Sequence, residues 1–172
     1  MSDVPAPRRQ LMDDVVAVLR RYGVEAGRLG HHFAGLHGLH QTDLQALILI
    51  MDSERSGTPA TPGDLRRHLG LTSGAVTAAL DRLEHLGHVR RERDTTDRRR
   101  VHVYYGEAAR AVAGEFFGGL GRRGDAVMAG YTDDELRVVQ RFLAEMTIAV
   151  VAHGRDVSGL QEHTRPGGIR PE

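Results

Sequence analysis

The sequence predicts a mainly α-helical fold carrying a small β-wing, and three observations within residues 61–106 predict it. The first is a pair of helical patterns, TPGDLRRHLG and LTSGAVTAALDRLEHLGHV, divided by the turn Gly70-Leu71-Thr72. The second is a pair of period-two segments, His88 to Arg93 and Arg100 to Tyr105, which read as the two strands of a hairpin. The third is the loop between them, Asp94 to Arg99, which is loaded with arginine. Helix, turn, helix and basic hairpin in that order describe a winged helix-turn-helix, a device that sets one helix in a DNA groove and a basic loop in the neighbouring one.

The elements follow in order. Residues 1–10, with two prolines and a basic pair, are expected to form a flexible arm. Leu11, Val15, Val18, Leu19 and Tyr22 recur at helical spacing, so a first helix should run from about Leu11 toward His31, with HHFAGLHGLH as connector. Thr42-Asp43-Leu44-Gln45 has the form of a capping box and opens a second helix through Leu47, Ile48, Ile50 and Met51, which Ser56-Gly57 stops. Thr61 caps the next helix, with Pro62 at its first position and Asp64 in its first turn, and Gly70 ends it. The helix from about Ser73 to Leu86 ends at Gly87 and turns Val76, Leu80 and Leu83 inward. From Glu107 to about Ala129 the chain should be helical with a weak point at Gly118, Gly119, Gly121 and Gly124, since each glycine costs about 1 kcal/mol relative to alanine. Thr132 to Glu135 forms another capping box, and Leu136, Val139, Leu143, Met146 and Val150 follow as a packing seam. The expected division is therefore an arm (1–10), a first helix and connector (11–41), the winged helix-turn-helix (42–106), C-terminal helices (107–154) and a disordered tail (155–172).

Bulk properties narrow the function. A chain of 172 residues suffices for a small DNA-binding module plus helices that pair it with a copy of itself. No run approaches the roughly 18 apolar residues of a membrane span, and MSDVPAPRRQ lacks a signal-peptide core, so a cytoplasmic protein without membrane contact is expected. The absence of cysteine removes disulfides, thiolate zinc sites and thiol redox switching. With 23 basic and 23 acidic residues the net charge is zero, which argues against binding of nucleic acid by bulk charge. Charge is nevertheless concentrated: residues 90–100 hold six arginines (90, 91, 93, 98, 99 and 100) against the acids Glu92, Asp94 and Asp97. No nucleophile elbow, phosphate loop or zinc-protease motif is present, so no enzyme and no cofactor are expected.

A helix that enters the major groove needs small or polar residues on its first turns, because its backbone must approach base edges and phosphates closely. Thr72, Ser73, Gly74, Thr77 and Ala78 meet that need, and Arg82, two turns in, is placed for a phosphate. The face has no Asn, Gln or Lys, so discrimination should lean on thymine methyls, hydroxyls and DNA shape. Arg98, Arg99 and Arg100 at the hairpin tip suit a minor groove or its flanking phosphates, with Asp97 orienting an arginine.

The recognition-helix pattern LTSGAVTAALDRLEHLGHVRR and the wing pattern DRRRVHVYY resemble the MarR family of bacterial transcriptional regulators over about residues 10–154. Arg99 stands at the position of that family's wing arginine and Asp97 at that of its acidic partner; Tyr105-Gly106 departs from the usual Leu-Thr. The resemblance implies a homodimer on a palindromic operator, usually a repressor released by a small anionic or phenolic ligand. It implies that the first and last two helices intertwine with a second copy; Leu11, Val15, Leu19 and Tyr22 at one end and Val139, Leu143, Met146 and Val150 at the other supply more apolar face than one small module can cover. Two reading helices about one DNA turn apart follow from two-fold symmetry. The family's ligand cleft implies His31, His32, Phe33, His37, His40, Leu47 and Met51 as lining for a small organic anion. Two alternatives stay open at this point: a winged-helix protein-interaction module, and a metal-responsive regulator using the His31–His40 histidines, although no complete metal-ligand set is evident.

Overall fold

The structure, a computed structural model, describes residues 5–97 and 99–163. Eight elements follow one another: α1 Ala6–Leu36, α2 Gln41–Arg55, α3 Pro62–Leu69, α4 Ser73–His85, β1 Val89–Arg93, β2 Val101–Tyr105, α5 Glu107–Met128 and α6 Asp133–His163. Contacts divide the chain into two compact units between Gly118 and Gly119, within the glycine run of α5; the helix itself is unbroken from Glu107 to Met128.

In the first unit, α1 is longer than the sequence suggests at both ends. It starts at Ala6, inside the expected arm, because prolines at the cap and in the first turn cost a helix no hydrogen bond. It ends at Leu36, inside the expected connector, because Phe33 and Ala34 are buried and anchor the last turn. The Phe33 ring packs on Phe116 and Phe117 of α5 at 5.0 and 4.9 Å between centroids, a tertiary contact that local spacing cannot reveal. The turn is made instead by Gly38, whose φ of +64° suits glycine. Helix α2 consequently begins at Gln41 with His40 as its cap, and the Asp43 carboxylate accepts the His40 backbone N–H at 3.1 Å; Thr42 lies inside the helix and does not cap it.

Helix α3 begins as its sequence demands. The Thr61 hydroxyl accepts the Asp64 N–H at 3.2 Å, and the Asp64 carboxylate accepts the Thr61 N–H at 2.9 Å. Hydrogen bonds to Thr61, its hydroxyl first among their causes, hold the Asp64 carboxyl below its usual range. Thr72 caps α4 through the Ala75 N–H at 3.2 Å, and Gly87 follows the helix with φ +71°. One core joins the three helices to the hairpin: Leu44, Leu47 and Ile50 of α2, Leu65 of α3, Val76, Leu80 and Leu83 of α4, Val89, Val103 and Tyr105 of the strands. Each fully buried side chain of this kind contributes about 1.5–3 kcal/mol.

Strands β1 and β2 are antiparallel, with Val89 opposite Tyr105, Arg91 opposite Val103 and Glu92 opposite His102. Ala60 extends the sheet by one bridge, its carbonyl accepting the Val103 N–H at 2.8 Å. Gly106, where the chain departs from the family pattern, is required by close packing. Its N–H donates to the His88 carbonyl at 2.8 Å, and a Cβ there would lie 2.7 Å from the His88 carbonyl carbon with the Gly87 oxygen closer still. Gly106→Ala should therefore destabilise the chain by about 1–3 kcal/mol, the cost of overpacking, as a urea midpoint reads it. Beside it His88 is buried, and that burial, with a smaller push from His37, lowers its pKa.

In the second unit, Thr132 and Glu135 form the expected capping box: Glu135 Oε2 accepts the Thr132 N–H at 2.8 Å. Helix α6 continues to His163, past the expected end near Gly154, since one glycine costs about 1 kcal/mol and cannot stop a long helix whose apolar spacing continues from Val150 to Val157. The expected tail beyond His163 lies outside the described residues. No helix among the described residues is long and apolar enough to cross a membrane.

Candidate nucleic-acid interface

The amphipathic pattern of α4 decides which of its residues are available. Val76, Ala79, Leu80 and Leu83 are buried, which leaves Ser73, Gly74, Thr77, Ala78, Asp81 and Arg82 to be compared with the burial of each position. Ser73, Gly74, Thr77, Ala78 and Asp81 are exposed, along with the cap residue Thr72, and the Arg82 side chain is 42% exposed. The outward face is as short-chained as expected at its start. Its hydroxyls are partly occupied: Thr72 Oγ1 serves the cap, and Thr77 Oγ1 donates to the Ser73 carbonyl at 3.0 Å.

Arg82 differs from the expected phosphate contact. Its Nη2 donates to Asp43 Oδ1 at 2.6 Å and its Nε to Asp43 Oδ2 at 3.3 Å, a two-pronged bond from α4 to α2. The Asp43 side chain is 2% exposed, so the arginine reaches from the surface to a buried carboxylate. The bond to Asp43 raises the Arg82 pKa. A helical position two turns from the cap suits a phosphate contact equally well, so only the 39-residue contact across the core distinguishes a brace.

Arg91, which the sequence does not single out from the other hairpin arginines, plays a related part between α4 and the hairpin. Its Nη2 donates to Asp81 at 2.5 Å, and its backbone N–H donates to Glu84 at 3.2 Å. At the far end of β2, Glu54 of α2 accepts the Tyr105 N–H at 2.8 Å and Arg110 Nη2 at 2.5 Å. The Arg110 bond is the main cause that lowers the Glu54 pKa. The wing root is thus tied to α2, α4 and α5 by charge-assisted bonds.

At the wing tip the organising residue is Asp94. Its Oδ1 accepts the N–H groups of Thr96 at 2.6 Å and Asp97 at 2.9 Å, and its Oδ2 lies 2.8 Å from His102 Nε2. These bonds, the Asp97 amide first, bring its pKa down to about 2. The signal is present in the sequence as an aspartate two residues before a Thr-Asp pair, a common local turn-former. Asp97 bonds the backbone of the turn and not an arginine side chain: Asp97 Oδ1 accepts the Arg99 N–H at 3.0 Å, and the Asp97 carbonyl accepts the Arg100 N–H at 2.8 Å. Arg99 and Arg100 are exposed, and their guanidinium groups have no ion-pair partner among the described residues. Arg98 lies outside the described residues.

The residues expected at a ligand cleft fall at several places along α1 and α2. Phe33 and Leu47 are core residues, buried because α1 and α2 meet there. His31 and His32 border an open hollow on α1 with Gly23, Val24, Gly27 and Arg28, while His37 packs its ring on Phe33 at 4.7 Å, His40 caps α2 and Met51 is exposed. Among the described residues no group of three or more His, Asp or Glu could hold a metal ion.

A family model described as "MarR family" matches residues 37–100, which run from before α2 through α3, α4 and β1 to the end of the wing loop. An HTH-type transcriptional regulator of Bacillus subtilis, YcgE, is 31% identical over 138 residues, covering 80% of this chain and 87% of its own. The chain belongs to the MarR family. This MarR-family transcriptional regulator also resembles YetL of B. subtilis, called an HTH-type transcriptional repressor, at 28% identity over 67% of this chain and 68% of YetL. Among solved structures, a mutant form of MepR from a multidrug-resistant S. aureus clinical isolate superposes with a TM-score of 0.64 at 15% identity, over 79% of this chain and 96% of MepR, which supports the winged-helix fold. A second MepR mutant, described as bound to an oligodeoxyribonucleotide, gives 0.51 at 15% identity over 79% of this chain and 97% of its own. The family consists of transcriptional regulators, so this chain is a regulator and not an enzyme.

Proposed function

We propose that this regulator binds double-stranded DNA as a homodimer on a near-palindromic operator and acts as a repressor by occupying it. One observation carries the reading: the exposed small-residue face of α4 belongs to the same unit as a hairpin whose tip arginines, Arg99 and Arg100, have no protein anion to neutralise them among the described residues. In this reading Ser73, Gly74, Thr77 and Ala78 meet base edges, Thr72 and its flanking amides meet backbone, and the wing arginines meet the minor groove or its phosphates. Arg82 acts as the brace of the reading helix. The oligodeoxyribonucleotide-bound form of MepR and the repressor name of YetL favour the same reading.

The dimer is argued from apolar exposure. Leu11 is 63% exposed and Tyr22 72%, Val15 is exposed on the same helix, and Val139, Leu143 and Val150 are exposed on α6. Two chains that cover these faces for each other bury surface which a lone chain leaves in water. A small organic anion would release the regulator by favouring a dimer in which the reading helices no longer match the half-site spacing. A hydroxyl-radical footprint of the DNA upstream of the gene tests the proposal. Two protected half-sites about 10 base pairs apart, centre to centre, are expected; a single protected half-site removes the dimer, and no protection at low salt removes DNA binding.

A further inference from the structure

One imidazole near the loop end of the hairpin faces two acceptors. His102 Nε2 lies 2.8 Å from Asp94 Oδ2, and its Nδ1 lies 3.3 Å from the Pro59 carbonyl oxygen. A carbonyl oxygen only accepts, and so does an ionised carboxylate. Both contacts are therefore hydrogen bonds only when both ring nitrogens carry a proton; a neutral ring turns a lone pair toward one of the oxygens. The contact is partly shielded from water, with side-chain exposures of 16% for His102 and 23% for Asp94.

The two acceptors belong to different parts of the fold. Pro59 lies in the segment that leads into α3, and its neighbour Ala60 accepts the Val103 N–H at 2.8 Å, so this side of the contact is a segment laid along the outer edge of β2 and continuous with α3. Asp94 opens the wing loop, and its other oxygen holds the Thr96 and Asp97 amides; Asp97 in turn holds the Arg99 N–H. We propose that His102 is a protonation-dependent positioning residue, whose doubly protonated ring clamps Asp94 to the Pro59 segment and so fixes the wing tip that carries Arg99 and Arg100. The inference rests on the reading of this chain as a DNA-binding regulator. His102 touches no DNA in it and acts through Asp94.

From the hairpin itself, among the described residues, come Asp94, then Glu92, opposite in register and ion-paired with Arg90, and its strand neighbours Arg91 and Arg93; Tyr104 lies 6.5 Å away between ring centroids. Of the helices packed on β2, α2 offers Glu54, occupied by Arg110 and the Tyr105 amide, and the exposed Arg55; α3 offers Asp64, occupied by Thr61 and Arg67. Asp94, its pKa brought down to about 2, stays ionised at neutral pH and offers the ring an acceptor only.

The test uses the full chain and its His102→Gln variant, titrated against a duplex of the upstream region from about pH 5.5 to about pH 8 at fixed ionic strength, with 15N NMR of the histidine rings and amide-exchange protection at Thr96 and Asp97. Wild-type affinity should fall about five- to tenfold as pH rises, against about twofold or less for the glutamine variant, with the same salt slope in both. Both His102 nitrogens should be protonated at the acid end. A His102 ring with a single proton at about pH 5.5, or equal pH dependence in the two proteins, overturns the clamp. A salt slope lower by about one unit in the variant would make His102 a phosphate contact and also overturn it. If neither protein binds DNA while ring protonation and amide protection still rise together, the clamp stands and the DNA-binding reading fails.

Discussion

Arg82→Ala should lower the free energy of unfolding by about 2–3 kcal/mol, one of the largest effects of any single exposed-face substitution in this chain. The cost falls on the partner: the Asp43 side chain is 2% exposed, and of the hydrogen bonds it accepts among the described residues only the one from the His40 N–H survives the loss of Arg82. An isolated charge left in the core is costly, and complete burial of both partners would put the loss at about 3–5 kcal/mol. The arginine's 42% exposure moderates it. Urea unfolding of Arg82→Ala, Asp43→Ala and the double variant measures the coupling directly. Arg82→Lys should recover only part, because an ammonium cannot span both carboxylate oxygens in the guanidinium's forked geometry. A brace of this kind has a second signature. Operator affinity should drop with the salt slope unchanged, whereas a phosphate contact would take about 0.9 from the slope.

Arg99→Ala should weaken operator binding by about tenfold or more at moderate salt while leaving unfolding within about 0.5 kcal/mol of wild type. Its guanidinium is exposed and has no ion-pair partner among the described residues, and only its backbone N–H is used, by Asp97. Removing the side chain therefore costs the fold nothing that the structure records. Asp97→Ala should act in the same direction by freeing the turn, but without a change in slope, since the arginine remains. Comparison of the two variants separates charge from position at the wing tip.

Much of this architecture is legible in the sequence because it is local. Thr61-Pro62-Gly63-Asp64, Thr72 before α4, Gly87 after it and the alternation of Val101, Val103 and Tyr105 each carry their own stereochemical signal, and each element forms where that signal lies. What stays hidden depends on contacts between distant residues. Phe33 looks like part of a loop until Phe116 and Phe117 close on it, which is why α1 outruns its apparent end. Arg82 looks like a phosphate contact until Asp43, 39 residues away, is found beneath it. His102 and Asp94 look like ordinary hairpin residues until Pro59 supplies the second acceptor. A ligand cleft is not legible for a different reason: Phe33 and Leu47 are needed by the core of this chain, so apolar character there carries no information about a ligand.

The most direct test of the account is the salt dependence of binding to the upstream duplex, measured by fluorescence anisotropy for wild type and Arg99→Ala between about 50 and 200 mM salt. Wild type should show a steep linear fall of log affinity with log salt, and the variant a slope smaller by about 0.9 for each wing that it disarms. Equal slopes in the two proteins, or no wild-type binding at the lowest salt, would contradict it.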